Sequence, residues 1–388
     1  MGAVGIIAEF NPLHTGHKKL IDFAKSQGDT VICALSGNFV QRGDTALFPK
    51  LKRAEAALKA GVDAVCEIPV LWSMSTAQNF ALAGVFELYH LGCEKIVFGS
   101  ECGDINILNE TADILLSEEF SSLVCQKTKS GITYAAAREK AAIELGAQRD
   151  ILSKPNNNLG IEYIIASRNL GLDIKFCTMK RLGCDHDSME KGGNFVSSSF
   201  IREKVKSGDI GYGEKFMPLC TRSTVSEDNV SDILRIENTV LGILRQKNAE
   251  DFKNLPDLSE GIENKLYFSV RIATSLEELY DSVKSKRYTL ARVRRLVLSA
   301  TLMFDKKYFM TPPPYIRLLG FSKNGEEHIR NINSAVPVIV RVSDIKNLPK
   351  ESVDVFETEC RATDLYALSL KKPQECGMEY KYKFLKTE

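Results

Sequence analysis

Ile6-Ile7-Ala8-Glu9-Phe10-Asn11-Pro12-Leu13-His14-Thr15-Gly16-His17 passes from a continuous apolar run, through a loop holding Pro12, into a segment with helical periodicity. A strand, a loop and a helix start in that order make an anion site, because a helix N-terminus offers unpaired N–H groups and the positive end of its dipole. Gly16, having no side chain, lets a ligand come close to the backbone. His14 and His17, three residues apart on a first helical turn, are predicted to project to one side and donate to phosphate oxygens. They are two of only five histidines in the chain. The competing reading is a surface pair on an ordinary helix start. Neither the G-x-x-x-x-G-K-S/T nor the G-x-G-x-x-G fingerprint occurs to account for the loop otherwise.

Outward from that turn, short apolar runs alternate with longer helical patterns over the first 210 residues. Strands are predicted over 4–8, 30–35, 64–68, 95–98 and 174–179, each nearly continuous in apolar character, as strands covered on both faces must be. Helices are predicted between them, for instance over 16–26, 50–60, 76–90 and 160–170. The expected fold class is therefore α/β, a Rossmann-like doubly wound parallel sheet, which binds ligands beyond the carboxyl ends of its strands where strand order reverses. After Pro218 the alternation fades into helical patterns over 233–245, 261–273, 275–283 and 290–304. Pro312-Pro313-Pro314 then precedes a short mixed tail. The predicted organisation is a catalytic domain over 1–218 and a mostly helical domain over 219–388.

The 388 residues are 44% hydrophobic, enough for a large core, and 51 Lys and Arg nearly cancel 50 Asp and Glu. No global basic field draws in nucleic acid, so a polyanion site has to be built from local clusters. No 18-residue apolar run occurs, and the first residues lack the basic region of a signal peptide, so a cytoplasmic protein is expected. The ten cysteines form no C-x-x-C pair and are read as reduced core residues. Cys184 and His186 lie close together, but no metal site is expected from so few histidines. Lys50 and Arg53, opening a helix, are read as a solvated face.

His14-Thr15-Gly16-His17 resembles the H-x-G-H motif of the nucleotidyltransferase superfamily that includes class I aminoacyl-tRNA synthetases. Ser197-Ser198-Ser199-Phe200-Ile201-Arg202 resembles that superfamily's second signature, S-S-T-x-I-R, with Ser199 keeping the hydroxyl of Thr. Such serines cap a helix, and Arg202 adds a fixed charge for departing pyrophosphate. Glu9-Phe10-Asn11-Pro12, Ser36-Gly37-Asn38-Phe39-Val40-Gln41-Arg42-Gly43, Phe98-Gly99-Ser100-Glu101, Pro155-Asn156-Asn157-Asn158-Leu159-Gly160-Ile161-Glu162-Tyr163, Lys180-Arg181, Lys286-Arg287-Tyr288-Thr289 and Tyr315-Ile316-Arg317-Leu318-Leu319-Gly320-Phe321 together resemble the tRNA(Met) cytidine acetate ligase family.

That resemblance implies activation of acetate by ATP, with Mg2+ carried on the nucleotide, to acetyl-adenylate. Acetyl transfer to the 4-amino group of the wobble cytidine of elongator tRNA(Met) follows. It implies His14, His17 and Arg202 as catalytic. It places ATP against Ile7, Ala8, Glu9, Phe10, Asn11, Pro12, Leu13, His14, Thr15, Gly16, His17 and Leu20, with Gly99, Asn156 or Asn157, Arg181, Ser198, Ser199 and Arg202 completing the site. For tRNA the residues expected are Lys284, Lys286, Arg287, Tyr288, Arg292, Arg294 and Arg295, a local run of cations around one aromatic ring that could stack on an unpaired base. A solvated helix face is the other account of that run. The alternative function is a small-molecule adenylyl- or cytidylyltransferase of the same fold, its helical half serving oligomerisation.

Overall fold

Seven of the strands form the path of one sheet and an eighth pairs beside it. In chain order the strands are β1 (Ala3–Ala8), β2 (Thr30–Ser36), β3 (Phe39–Val40), β4 (Asp44–Thr45), β5 (Ala64–Ile68), β6 (Cys93–Ser100), β7 (Lys175–Lys180), β8 (Ile316–Ser322), β9 (Val338–Ile339) and β10 (Leu385–Thr387). The computed structural model describes residues 2–181, 197–258 and 261–387. The sheet runs β10-β8-β5-β2-β1-β6-β7, with β9 on β8, while β3 and β4 form a separate hairpin.

The five predicted strands are present and mutually parallel, with Ile6 opposite Cys33, Cys33 opposite Val65 and Gly5 opposite Ile96. Their near-continuous apolar character follows from cover on both faces. Val4, Ile6, Val31, Cys33, Leu35 and Val65 pack on one side with Ile21 and Ala24 of α1 (Thr15–Gln27) and Ala54 and Ala57 of α2 (Lys50–Lys59). Ile7, Ile32, Ala34, Cys66 and Ile68 pack on the other with Phe80, Ala83 and Val85 of the helix Ala77–His90. Because β2 follows β1 on one flank and β6 lies on the other, the order reverses at β1. Its carboxyl end, Glu9 onward, is the crevice where such sheets bind ligands.

The sheet continues across the expected 218/219 division. Residues 316–322, read as part of a mixed tail, form β8, buried at six of seven positions and paired antiparallel to β5, and β10 extends it in parallel. The helices Glu237–Arg245, Ile262–Ile272, Leu276–Val283 and Leu290–Thr301 match the helical patterns of the second half, and beyond them the sheet strands alternate with the helices Lys323–Asn331 and Lys350–Ser369.

The reading of Lys50 and Arg53 as a solvated face is overturned: they are 0% and 2% exposed. Lys50 Nζ meets the carboxylates of Glu67, Glu359 (3.0 Å) and Glu379 (2.5 Å), and Arg317 of β8 meets Glu67 (3.0 Å) and Glu379. Burial and the Glu359 charge push the Glu67 carboxyl up, whereas Arg317 and Lys50 outweigh burial and hold Glu379 down. Arg53 donates to the carbonyls of Glu9 (2.7 Å), Ser36 (3.0 Å) and Phe48 (2.9 Å), tying the carboxyl ends of β1 and β2 to α2. A charge this deep survives only with such partners, and these supply a rigid floor for the loops above.

Nine described cysteines are free thiols; Cys33, Cys66 and Cys93 are buried, but Cys125, Cys220 and Cys376 are exposed rather than in the core. Cys184 and His186 lie outside the described residues. Among those described, no helix is long and apolar enough to cross a membrane.

Candidate active site

β1 ends at Ala8, and the chain turns through Phe10, held at φ 43°, before entering α1. A non-glycine residue in the left-handed region costs on the order of 1 kcal/mol and marks a backbone constrained by its surroundings. Here the Phe10 ring is buried and meets the edge of His17, with centroids 5.2 Å apart.

The helix start is organised by the two histidines. His14 lies just outside α1 as its N-cap, with an extended backbone (φ −125°, ψ 174°), rather than within the first turn. The backbone N–H of Gly16 donates to His14 Nδ1 (3.0 Å), and that of His14 donates to His17 Nδ1 (3.3 Å). This is a capping box built from imidazoles. The rings stack, with centroids 3.8 Å apart and planes 21° from parallel. Because each Nδ1 accepts a hydrogen bond, each neutral ring carries its proton on Nε2. Burial, with the Arg181 charge second, lowers His14 to about 4; burial, then His14, then Arg181 hold His17 well below its ordinary value. Two neutral imidazoles therefore face the cleft at neutral pH.

A pH dependence of stability follows. Between about pH 6.5 and 4 the unfolded chain protonates His14 while the folded chain does not, so stability falls as pH drops through that window and is flat above it. The loss is about 3 kcal/mol in all. His14→Asn, which keeps an N-cap acceptor and removes the His14 titration, should lessen the fall of the denaturation midpoint between pH 7 and 4.5, while His17, also held low by burial, keeps its own share. An unaltered slope would show that His14 does not carry it.

Above the turn lies a cleft of about 1300 Å³. Glu9, Asn11, His14, Thr15, Gly16, His17 and Leu20 line it. Ile7, Phe10 and Leu13 are core residues beneath, Ala8 packs against the same core, and Pro12 is buried. On the β6 flank, Gly99 leaves room for Arg181, whose Cγ an added Cβ would meet at 3.1 Å. On the facing side Ser197 caps the helix Ser198–Lys206 by accepting from the N–H of Phe200, and Ser198, Ser199 and Arg202 reach the cleft. Arg202 donates to the carbonyl of Asn11 (2.8 Å) and to Ser199 Oγ (2.9 Å), so both signatures are joined through one guanidinium.

The two asparagines part ways. Asn156 lines the cleft, its amide donating to Glu101 (2.7 Å). Asn157 is buried, and its side-chain oxygen accepts from the backbone N–H groups of Glu101 (2.9 Å) and Cys102 (3.0 Å). The Asn157 side-chain oxygen shapes the loop. Asn157→Ala should cost about 1–3 kcal/mol by orphaning two partly buried donors, while Asn156→Ala should leave stability nearly unchanged. Urea denaturation of both variants checks this, and equal midpoints would contradict it. Glu101, part of a family-like segment but given no role there, accepts from the N–H groups opening the helix Pro155–Asn169, where its charge suits the dipole.

The basic run also divides. Lys284, Lys286 and Arg287 are exposed and Tyr288 is half-buried against the core. Arg292 and Arg295 are instead paired to Asp257 at 3.3 and 3.2 Å, and Arg295 donates further to the carbonyl of Gln41 (3.3 Å). Both guanidiniums thus help tie the helix to the loop that carries Asp257. Arg294, between them on the same helix, reaches the cleft itself. Arg42 also lines the cleft, and nothing local in its sequence marks it for that place. No group of three His, Cys, Asp or Glu side chains able to hold a metal occurs among the described residues. A magnesium ion would enter on the nucleotide's phosphates, as part of the substrate.

Residues 1–381 match the HIGH Nucleotidyl Transferase family. A protein named tRNA(Met) cytidine acetate ligase from Thermoanaerobacter sp. (strain X514) is 38% identical, with 100% of each chain covered. The crystal structure of Thermotoga maritima TmcAL, without ligand, superposes with a TM-score of 0.92 at 28% identity over 100% of both chains. The structure of that protein bound with alpha-thio ATP superposes at 0.90.

Proposed function

We propose that this chain, which belongs to the HIGH nucleotidyl transferase family and within it to the tRNA(Met) cytidine acetate ligases, joins acetate to ATP and passes the acetyl group to the wobble cytidine of elongator tRNA(Met). The observation that carries this reading is the convergence of His14, His17 and Arg202 on one crevice at the carboxyl end of β1. In the first step a carboxylate oxygen of acetate attacks the α-phosphorus of ATP and pyrophosphate leaves. Acetate, with a pKa close to a Glu side chain's of about 4, is already anionic and needs no base. What it needs is relief from charge repulsion. The Nε2–H groups of His14 and His17, the start of α1 and Arg202 supply preorganised donors for the charge that builds on the phosphates.

In the second step the 4-amino nitrogen of cytidine attacks the acetyl carbon, AMP leaves, and the nitrogen gives up one proton to form N4-acetylcytidine. That amine is conjugated into its ring and weak as a nucleophile, which is why the acyl group has to arrive on a good leaving group. A substrate of the translation machinery places the reaction in the cytoplasm. A small-molecule nucleotidyltransferase is not favoured: full-length relatives bear the ligase name, and Arg294 of the second half lines the cleft, where a purely oligomerising half would contribute nothing. The test is isotope exchange between pyrophosphate and ATP without tRNA. Exchange that requires acetate is expected; exchange indifferent to acetate would overturn the ligase reading.

A further inference from the structure

Two guanidinium groups in the cleft have no assigned work. Arg42 and Arg294 make no ion pair or hydrogen bond among the described residues; Arg294 lies over the Tyr280 ring at 5.4 Å. They come from opposite halves of the chain, Arg42 from the β3–β4 hairpin and Arg294 from the helix Leu290–Thr301, and are brought together by a built contact. Gly43, at φ 71°, packs so closely on that helix that an added Cβ would stand 2.6 Å from the backbone nitrogen of Arg295 and 2.7 Å from Cβ of Arg294. Only glycine meets both the turn and the approach. Arg295 then clamps the hairpin through the Gln41 carbonyl, and the N–H of Gln41 donates to Glu9 (2.9 Å), so the hairpin is fixed both to the helical half and to the signature loop.

The sheet order says which side of the site this is. The hairpin follows β2, whereas Gly99 and Glu101 follow β6, and β1 lies between them. Arg42 and Arg294 thus flank the signature loop on the side away from Gly99, Asn156 and Arg181. With the nucleotide lying from the β6 flank to the start of α1, the acceptor of the acetyl group has to approach from the other flank. An acceptor in a polynucleotide brings a phosphodiester on each side of its base, and paired guanidiniums suit phosphate oxygens.

We propose that Arg42 and Arg294 form a phosphodiester subsite, completed only by both halves of the chain, that seats the RNA backbone next to the target cytidine. The proposal rests on the acetate-ligase reading and adds to it where the RNA backbone lies. The test uses the purified full-length protein and anticodon stem-loop RNAs in which each linkage flanking the target cytidine is replaced, one at a time, by an uncharged methylphosphonate. Acetyl transfer is followed as kcat/KM. For the native protein one of the two neutral linkages is expected to cost about tenfold, the scale of one charged hydrogen bond. Arg42→Ala and Arg294→Ala should each lose about tenfold on the unmodified RNA, and lose little more when that linkage is neutral.

Arg294→Lys and Arg42→Lys, which keep the charge, should recover part of the loss and remain sensitive to the neutral linkage. If the alanine variants pay the same penalty as the native protein for the neutral linkage, the arginines do not hold it and the proposal falls. If pyrophosphate exchange drops in parallel with transfer, the arginines serve the triphosphate or acetate instead, which also overturns it. Native protein acetylating all the RNAs equally overturns the subsite alone. Native protein acetylating none overturns the acetate-ligase reading and the subsite with it.

Discussion

Replacement of His17 by alanine is expected to slow acetate-dependent pyrophosphate exchange by about 10²-fold or more, the scale on which single preorganised donors act in a water-poor site. Three things are lost together. The Nε2–H donor disappears, the N–H of His14 loses its acceptor, and the His14 ring loses its stacking partner. The chemical and the scaffolding parts separate by substitution. Gln at position 17 carries both a donor and an acceptor and should recover part of the rate, while Leu fills volume and recovers none. Since burial holds both imidazoles neutral at pH 7, exchange should not fall as pH rises through 6.5. A native rate in the alanine variant, or a decline above pH 6.5 reporting an imidazolium, would contradict the assignment.

Arg202→Ala is expected to have a comparable effect, a loss of about 10²- to 10³-fold that falls mainly on kcat. The guanidinium sits where two signatures meet, bonded to the Asn11 carbonyl and to Ser199 Oγ with its remaining capacity toward the cleft. A group made stronger by the developing charge of pyrophosphate lowers kcat when removed; one that only holds ground-state ATP raises KM. Arg202→Lys keeps the charge without the fork that reaches both partners, so its rate should lie between. Loss confined to KM for ATP would assign Arg202 to binding alone.

What was legible in the sequence was what local order encodes. The run from Ile6 to His17 announces strand, loop and helix within twelve residues, and β5 was read at its observed bounds because its five residues are apolar except Glu67 and are covered on both sides. Hidden features depend on residues far apart. Arg317 and Lys50 look like surface cations until Glu359 and Glu379 are folded against them. β8 is a short run after a proline stretch, and its antiparallel partner β5 lies about 250 positions earlier. Arg292, Arg294 and Arg295 are alike as text, yet Asp257 captures two and the packing at Gly43 delivers the third to the cleft. Asn156 and Asn157 are told apart for the same reason: only the folded loop shows that the Asn157 oxygen accepts from its backbone while Asn156 lines the cleft.

The most direct measurement is mass spectrometry of nucleosides from elongator tRNA(Met) incubated with the purified protein, ATP and carbon-13 acetate. The account predicts N4-acetylcytidine carrying the label, formed only when ATP and acetate are both present and lost with His17→Ala. Unlabelled cytidine throughout, or acetylation that proceeds without ATP, would contradict it.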